Sequence, residues 1–208
     1  MRDVEGSIIA GGEFISAIER LGLISFIDAY VLKQTVRELI NHPEIRLGLN
    51  ISSLTARVGS WLQSLNLLME GRPDLARRLV VEITETAALV DVEESARFVD
   101  TLHRAGCRVA LDDFGAGHTS LQHLQILAVD TVKIDGSLVN NLAASPKKQA
   151  VLRDTLGLIS GFGVATVAEG VEKAEDAALV RAAGIRYLQG YYLGPPTMER
   201  IWLAVDSR

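Results

Sequence analysis

Hydrophobic residues gather in six short runs along this chain, and each run ends on a polar or charged residue. The runs read LGLN, LVVEIT, VALDD, TVKID, TVAEG and YLQG. They are rich in Val, Ile and Leu, and a stretch with helical character follows each of them. Strands that alternate with helices are typical of a parallel sheet. The pattern therefore predicts an α/β fold with six recognisable parallel strands.

The polar residues that close these runs indicate one shared site. The carboxyl ends of parallel strands meet at one mouth, where barrel enzymes carry their catalytic groups. Eight residues occupy those positions: Asn50, Glu82, Asp112, Asp113, Lys133, Asp135, Glu169 and Gln189. We therefore expect their side chains to converge.

The stretches between the runs predict helices. Residues 13–39 have helical spacing with a break at Gly22, and residues 54–69 also favour a helix. Residues 71–73, Gly-Arg-Pro, predict a loop. Ser145 followed by Pro146 is typical of a helix start.

The length of the chain is sufficient for one domain, but the number of predicted strands is too small for a closed barrel. A chain of 208 residues with 48% hydrophobic content needs only one domain to bury a substantial core. A closed βα barrel has eight strands, whereas the first recognisable run follows about 45 residues of mostly helical pattern. We therefore expect residues 1–208 to form one barrel domain, and either its first strands are missing from this chain or the barrel is incomplete.

Charge and composition exclude several classes of protein. A net charge of −5 without a basic stripe argues against nucleic-acid binding. No apolar run has membrane-spanning length, and the N-terminus lacks the order of a secretion signal. The single cysteine, Cys107, fits a reducing compartment and an inert core thiol. These features predict a cytoplasmic protein with no membrane segment.

Asp112 and Asp113 form the most diagnostic local feature. Two adjacent carboxylates repel one another unless a cation or a proton neutralises them. A pair of divalent ions about 3.5–4 Å apart is a common use of such a cluster in displacement at phosphorus. The alternative is an Asx turn with a helix cap. The glycine-rich residues 114–117 that follow predict a loop that closes over a ligand.

Three other strand-end residues carry both a chemical and a structural interpretation. Glu82 lies inside an apolar run, so its carboxylate must be paired or bound to metal. Asn50 offers an amide oxygen to a hard cation, or it is a turn residue. Burial and a nearby metal would lower the pKa of Lys133 so that it could deprotonate a water. Alternatively, Lys133 forms a salt bridge with Asp135 or a neighbouring acid.

The local sequence pattern does not decide the roles of the remaining candidate residues. Glu85 either supports the glycine-rich loop or is a solvated or capping acid. Glu169 precedes Gly170, so its backbone can approach a ligand closely. Glu172 could cap the next helix, and capping alone would explain it. Gln189 offers a donor and an acceptor to a base edge or a phosphate oxygen, or it is a core amide.

Taken in order, the motifs resemble those of the EAL family of cyclic di-GMP phosphodiesterases, from about Gly12 to Pro196. The matching segments are Asn50-Ile-Ser, Glu82-Ile-Thr-Glu85, Asp112-Asp113-Phe-Gly-Ala-Gly, Lys133-Ile-Asp135, Ala168-Glu169-Gly-Val-Glu172 and Gln189-Gly-Tyr. The resemblance implies a modified TIM-type (βα) barrel whose first strand is antiparallel to the others.

The resemblance also implies roles for individual residues. Two Mg²⁺ or Mn²⁺ ions would be held by Asn50, Glu82, Asp112, Asp113 and Glu169. The attacking water would be positioned or activated by Lys133, Asp135 and Glu169, with Asp113 also catalytic through its metal. The ligand would be contacted by Gln189 and Asp135. Loop support would come from Glu85, Glu172, Phe114, Gly115 and Gly117.

The implied reaction is hydrolysis of one phosphodiester bond of cyclic di-GMP to linear pGpG, in bacterial second-messenger signalling. The implied partners are cyclic di-GMP, a second copy in a homodimer, and a fused or separate sensory or diguanylate cyclase domain.

The chain also departs from the family pattern. The Glu-Ala-Leu segment that supplies a further metal ligand does not occur in the sequence, and Gly136 stands where an arginine is common. His118 and Thr119 are smaller departures in the closing loop. Two alternatives therefore stay open: an inactive module that binds cyclic di-GMP or a protein, and a Mg²⁺ enzyme of the enolase type.

Overall fold

Six parallel strands form one curved sheet in which every strand pairs with its neighbours in sequence. The computed structural model describes residues 5, 9, 11–116, 121–197 and 200. The strands are β1 (Leu47–Asn50), β2 (Leu79–Thr84), β3 (Arg108–Phe114), β4 (Thr131–Ile134), β5 (Ala165–Ala168) and β6 (Tyr187–Leu188). All six strands predicted from the apolar runs are confirmed. The result is a half-barrel in which, within the described ranges, β1 and β6 are the edge strands.

Helices precede and follow the strands. They are α1 (Gly11–Arg20), α2 (Ile24–Asn41), α3 (Ser53–Ala56), α4 (Gly59–Met69), α5 (Pro73–Ala76), α6 (Glu85–Val90), α7 (Val92–Arg104), α8 (Leu121–Leu127), α9 (Gly136–Val139), α10 (Pro146–Ile159) and α11 (Ala174–Ala182). A short 3₁₀ turn, Ser160–Phe162, follows α10. No helix in the described part of the chain is long and apolar enough to cross a bilayer.

Alternation along the strands separates the core from the inner face of the sheet. In β2, Leu79, Val81 and Ile83 are buried, whereas the intervening residues are only partly buried. Because successive strand residues point to opposite faces, one face packs against the helices and the other lines the inside of the curve. The large core side chains, such as Leu32 and Leu65, lie on the helical side. This arrangement leaves Glu82 on the inner face, near the mouth.

Two helix predictions needed correction. The predicted helix over residues 54–69 is two helices, because Val58 is extended between them and Trp61 is buried with its indole N–H donated to the carbonyl of Asp28 at 3.3 Å. Tertiary packing here overrides helical spacing. Pro73, predicted in a loop, is the first residue of α5, a position that suits proline because no intrahelical N–H bond is lost. The break at Gly22 and the start at Ser145-Pro146 are confirmed.

Candidate active site

Lys133 lies at the centre of three carboxylates at the mouth of the half-barrel. Its ammonium group is 2.7 Å from Oε2 of Glu82, 3.0 Å from Oδ1 of Asp112 and 2.7 Å from Oε1 of Glu169. The four residues come from β4, β2, β3 and the residue after β5. Parallel pairing of neighbouring strands brings their carboxyl ends to the same edge, so residues up to 87 positions apart become neighbours. The predicted convergence of these four residues is therefore present in the structure.

The charges of this cluster are strongly coupled. Burial lowers the pKa of Lys133, but hydrogen bonds to Glu169 and Glu82 and the charge of Asp112 outweigh it and raise the pKa above its usual range. The expected lowering by burial is present, but the carboxylates reverse its net effect and Lys133 is an ammonium. The alternative interpretation, a salt bridge between Lys133 and neighbouring acids, is confirmed by these contacts. Burial raises the pKa of Glu169 to about 7, although Lys133 opposes this effect. The Glu169 carboxyl therefore takes up a proton near neutral pH.

A bulge in β3 explains how adjacent aspartates share one mouth. Between Leu111 and Phe114 the register against β4 shifts, so that three steps on β3 match two steps on β4. Asp113 has φ of 59°, a left-handed conformation that aspartate tolerates better than most residues, and its N–H donates to Oδ1 of Asp112 at 3.0 Å. Bulges re-aim side chains in this way. Without the bulge, alternation would turn the two carboxylates to opposite faces.

The resulting donor set fits a divalent cation. Asp112, Asp113 and Glu169 each offer a carboxylate oxygen, and these atoms all lie within 4.8 Å of one another. Burial and the neighbouring charges of Asp112 and Asp135 raise the pKa of Asp113, which shows that anionic charge is crowded at this point. Carboxylate oxygens are the ligands that Mg²⁺ and Mn²⁺ prefer. The cluster can therefore hold a metal, with Glu82 beside it across Lys133.

Glu85 holds the start of the glycine-rich loop. Its side chain is buried, and Oε2 accepts a hydrogen bond from the N–H of Gly115 at 2.9 Å. Gly115 has φ of 94°, and a Cβ there would lie 2.7 Å from Cδ1 of Leu138, so glycine is required. Phe114 is buried, and its carbonyl accepts from the N–H of Asp135 at 3.0 Å. These contacts support the loop roles of Glu85, Phe114 and Gly115, whereas Gly117 lies outside the described residues.

The other candidates lie at the rim of the site. Asp135 caps α9, since its carboxylate accepts from the N–H of Ser137 at 2.9 Å. Gln189 is exposed and lines the inner face together with Glu82 and Lys133. Asn50 is exposed at the end of β1, in register with Glu82.

Glu172 is the candidate that the structure does not tie to the site. It is exposed, and within the described ranges its side chain makes no hydrogen bond or ion pair. No contact in the described ranges therefore supports the prediction that Glu172 holds the loop that contains Glu169. The loop is instead fixed by its backbone, because the N–H of Glu169 donates to the carbonyl of Ile134 at 3.0 Å and Gly170 packs against Gly136.

Two supporting residues were not predicted from the sequence. A Cβ at Gly48 would overlap Oε1 of Glu82, so glycine there makes room for the carboxylate. Asp28 is buried in α2, and its Oδ2 accepts from the N–H of Ser52 at 3.1 Å, which holds the segment after Asn50. The signals were a glycine inside an apolar strand and an acid inside an otherwise apolar helix face.

Comparison with known proteins places this site in a family. The sequence pattern described as "EAL domain" matches residues 1–196. The probable cyclic di-GMP phosphodiesterase PdeA of Escherichia coli K12 is 30% identical over 196 residues, which cover 92% of this chain and 27% of PdeA. The chain spans about a quarter of the length of the first curated relatives that it matches.

Solved structures share the fold over most of the chain. The PaMucR phosphodiesterase in complex with c-di-GMP is 28% identical, with a TM-score of 0.85 over 91% of this chain and 84% of that chain. The FimX EAL domain from Pseudomonas aeruginosa bound to c-di-GMP is 25% identical, with a TM-score of 0.88 over 96% of this chain and 81% of that one.

Proposed function

This chain belongs to the EAL domain family, and we propose that it hydrolyses one phosphodiester bond of cyclic di-GMP to give linear pGpG. One observation carries the proposal: Glu82, Asp112 and Glu169 converge on Lys133 at the carboxyl ends of neighbouring strands. Relatives named as cyclic di-GMP phosphodiesterases and structures titled as complexes with c-di-GMP support the choice of substrate.

We propose that two Mg²⁺ or Mn²⁺ ions complete the site. Their ligands would be Asn50, Glu82, Asp112, Asp113 and Glu169. When bound, such ions lower the pKa of water and stabilise the charge that develops on the phosphoryl oxygens. The fit rests on the crowded carboxylate oxygens of Asp112, Asp113 and Glu169, and on the raised pKa values of Asp113 and Glu169.

The protein side chains would then handle the water and its protons. Glu169, whose pKa burial raises to about 7, suits the role of a group that accepts a proton near neutral pH. The Lys133 ammonium and Asp135 would position the attacking water. A water oxygen bonds to phosphorus, the bond from phosphorus to one ribose oxygen breaks, and a proton passes to that leaving oxygen. Gln189 on the inner face would contact the ligand.

We also propose regulation through assembly. Glu85 accepts a hydrogen bond from the N–H of Gly115 at the start of the glycine-rich loop, and the family resemblance implies that this loop links metal binding to dimerisation. A homodimer and an attached or separate sensory or diguanylate cyclase domain would act on the site through this contact.

A second candidate function is binding without turnover. The observation that favours it is the Lys133 ammonium, which pairs with the carboxylates of Glu82, Asp112 and Glu169. A site that kept these ion pairs in place of a metal would bind cyclic di-GMP but hydrolyse it poorly.

The experiment that separates the two functions measures binding and turnover on one preparation. Binding of cyclic di-GMP is titrated calorimetrically in EDTA, and release of pGpG is followed by chromatography with Mg²⁺ or Mn²⁺. Metal-dependent pGpG release supports the phosphodiesterase. Tight binding with no pGpG under either metal would replace it with the binding module, and neither binding nor turnover would refute both.

A further inference from the structure

Four arginines gather at the end of the sheet opposite the acidic site. Arg46 directly precedes β1, Arg77 and Arg78 directly precede β2, and Arg108 is the first residue of β3. Because the strands are parallel and neighbouring, their amino ends meet at one edge just as their carboxyl ends do. The four side chains line one cavity together with Pro43 and Asp74.

The positive charge of this cavity is not balanced locally. Arg78 pairs with Asp74 at 3.7 Å. Arg46, Arg77 and Arg108 are exposed, and their side chains make no hydrogen bond or ion pair in the described part of the chain. Four guanidinium groups therefore face one carboxylate, in a chain whose net charge is −5. Such a local excess of one sign in a concave site attracts counter-ions.

Arg78 is fixed in place and gives the cavity a rigid wall. Its Nη1 donates to the carbonyls of His42 and Ile45 at 2.9 and 3.2 Å, and its Nη2 donates to the carbonyl of Leu39 at 2.8 Å. These bonds satisfy the backbone at the end of α2 and leave the side chain only 14% exposed. The other three arginines have no such role in the fold.

Charge along the sheet is arranged as a dipole. Arg46 and Arg108 also line the groove of about 290 Å³ on the inner face of the sheet, which reaches Glu82 and Lys133. Acidic side chains crowd the opposite end, at Asp112 and its neighbours. An anion is therefore favoured at the arginine end of the sheet over the carboxylate-rich mouth.

We propose that the cavity at the amino ends of β1, β2 and β3 binds a small phosphate-bearing anion through Arg46, Arg77 and Arg108. The planar guanidinium forks match the paired oxygens of a phosphate. No aromatic side chain is among the cavity's lining residues within the described chain, so the recognised part is the phosphate rather than a base. This site is separate from the proposed hydrolytic site and does not depend on it.

Pyrophosphate is the probe for the test. Metal-free protein in EDTA is titrated with pyrophosphate by calorimetry at low and moderate NaCl. The test variant is Arg46→Gln with Arg108→Gln, and Arg78 is left unchanged because its carbonyl bonds support the fold. The matched control is Arg97→Gln with Arg181→Gln, which removes the same charge from exposed positions on α7 and α11.

The proposal predicts one binding event per chain that weakens with salt. The test variant should lose at least about tenfold in affinity, because each charged hydrogen bond contributes on the order of a tenfold factor, while the control keeps wild-type affinity. Equal weakening in both variants would show a nonspecific charge effect and overturn the proposal. Absence of pyrophosphate binding to the wild type at low salt would also overturn it.

Discussion

Replacing Lys133 by methionine tests the electrostatic account of the site. Methionine keeps an unbranched side chain of similar length but removes the ammonium that contacts Glu82, Asp112 and Glu169 at 2.7–3.0 Å. The lysine side chain is 6% exposed and the carboxylates are 12–16% exposed, so water screens the remaining repulsion only weakly. Loss of one partner from a buried ion pair costs about 3–5 kcal/mol. We expect Lys133→Met to lower the free energy of unfolding in EDTA at pH 8 by about 3 kcal/mol.

The loss of unfolding free energy caused by Lys133→Met depends on pH, and the direction of this dependence follows from the pKa shifts. The pKa of Lys133 is raised, so its stabilisation is fully present below pH 10.5 and is lost as the pH rises through the raised value. On the acid side, Glu169 takes up a proton around its pKa of about 7, which reduces the repulsion left in the variant. The difference between the two proteins should therefore be smaller at pH 5.5 than at pH 8. A divalent cation should recover part of it by taking over the role of the ammonium.

The assay is thermal unfolding with and without Mn²⁺, at both pH values. A loss of about 3 kcal/mol corresponds to a fall in Tm of about 6–12 °C for a chain of this size. Mn²⁺ should raise the Tm of the variant more than that of the wild type. Lys33→Met, at an exposed position on α2, is the matched control and should leave Tm nearly unchanged. A Lys133→Met variant as stable in EDTA as the control would refute the reasoning.

Three further predictions address catalysis, burial and the fold. Asp113→Asn should reduce pGpG release by about 10² or more while keeping much of the affinity for cyclic di-GMP, because the amide loses the charge that holds a cation; wild-type turnover would contradict the metal mechanism. Burial raises the pKa of the Cys107 thiol to about 12, so a thiol reagent at pH 8 should label it only in denaturant, and rapid native labelling would show that the core opens. Arg78→Lys should lower the free energy of unfolding in urea by about 2 kcal/mol, because lysine cannot keep all three hydrogen bonds to backbone carbonyls. Arg77→Lys is the control and should be nearly neutral; equal stability of the two variants would show that the Arg78 hydrogen bonds are dispensable.

The strand ends were predictable from the sequence, because the apolar runs mark the strands and their parallel order brings the carboxyl ends to one edge of the sheet. Once Glu82, Asp112 and Lys133 are placed on three consecutive parallel strands, their meeting at the mouth follows from the strand order. Gly115 was also recognisable, as part of a glycine-rich turn directly after a strand. For these residues, the local sequence pattern together with the parallel strand order determines the position in the fold.

The remaining features depend on geometry that a pattern of residue types does not carry. The bulge at Asp112 and Asp113 is a one-residue register shift, which leaves the apolar pattern of β3 unchanged. The raised pKa of Lys133 depends on how many carboxylates reach one ammonium, a number that only the folded sheet sets. The arginine cavity is not apparent from the sequence, because its residues lie at the starts of separate apolar runs and only the folded sheet brings them together.

The location of a bound cation tests the central claim most directly. Crystals of the chain grown with Mn²⁺ would show the ion in an anomalous difference map. The account predicts a peak in contact with carboxylate oxygens of Asp112, Asp113 and Glu169, with the Lys133 ammonium displaced from at least one of its carboxylate partners. A map with no peak at this cluster, with Lys133 still bound to Glu82, Asp112 and Glu169 at saturating Mn²⁺, would contradict it.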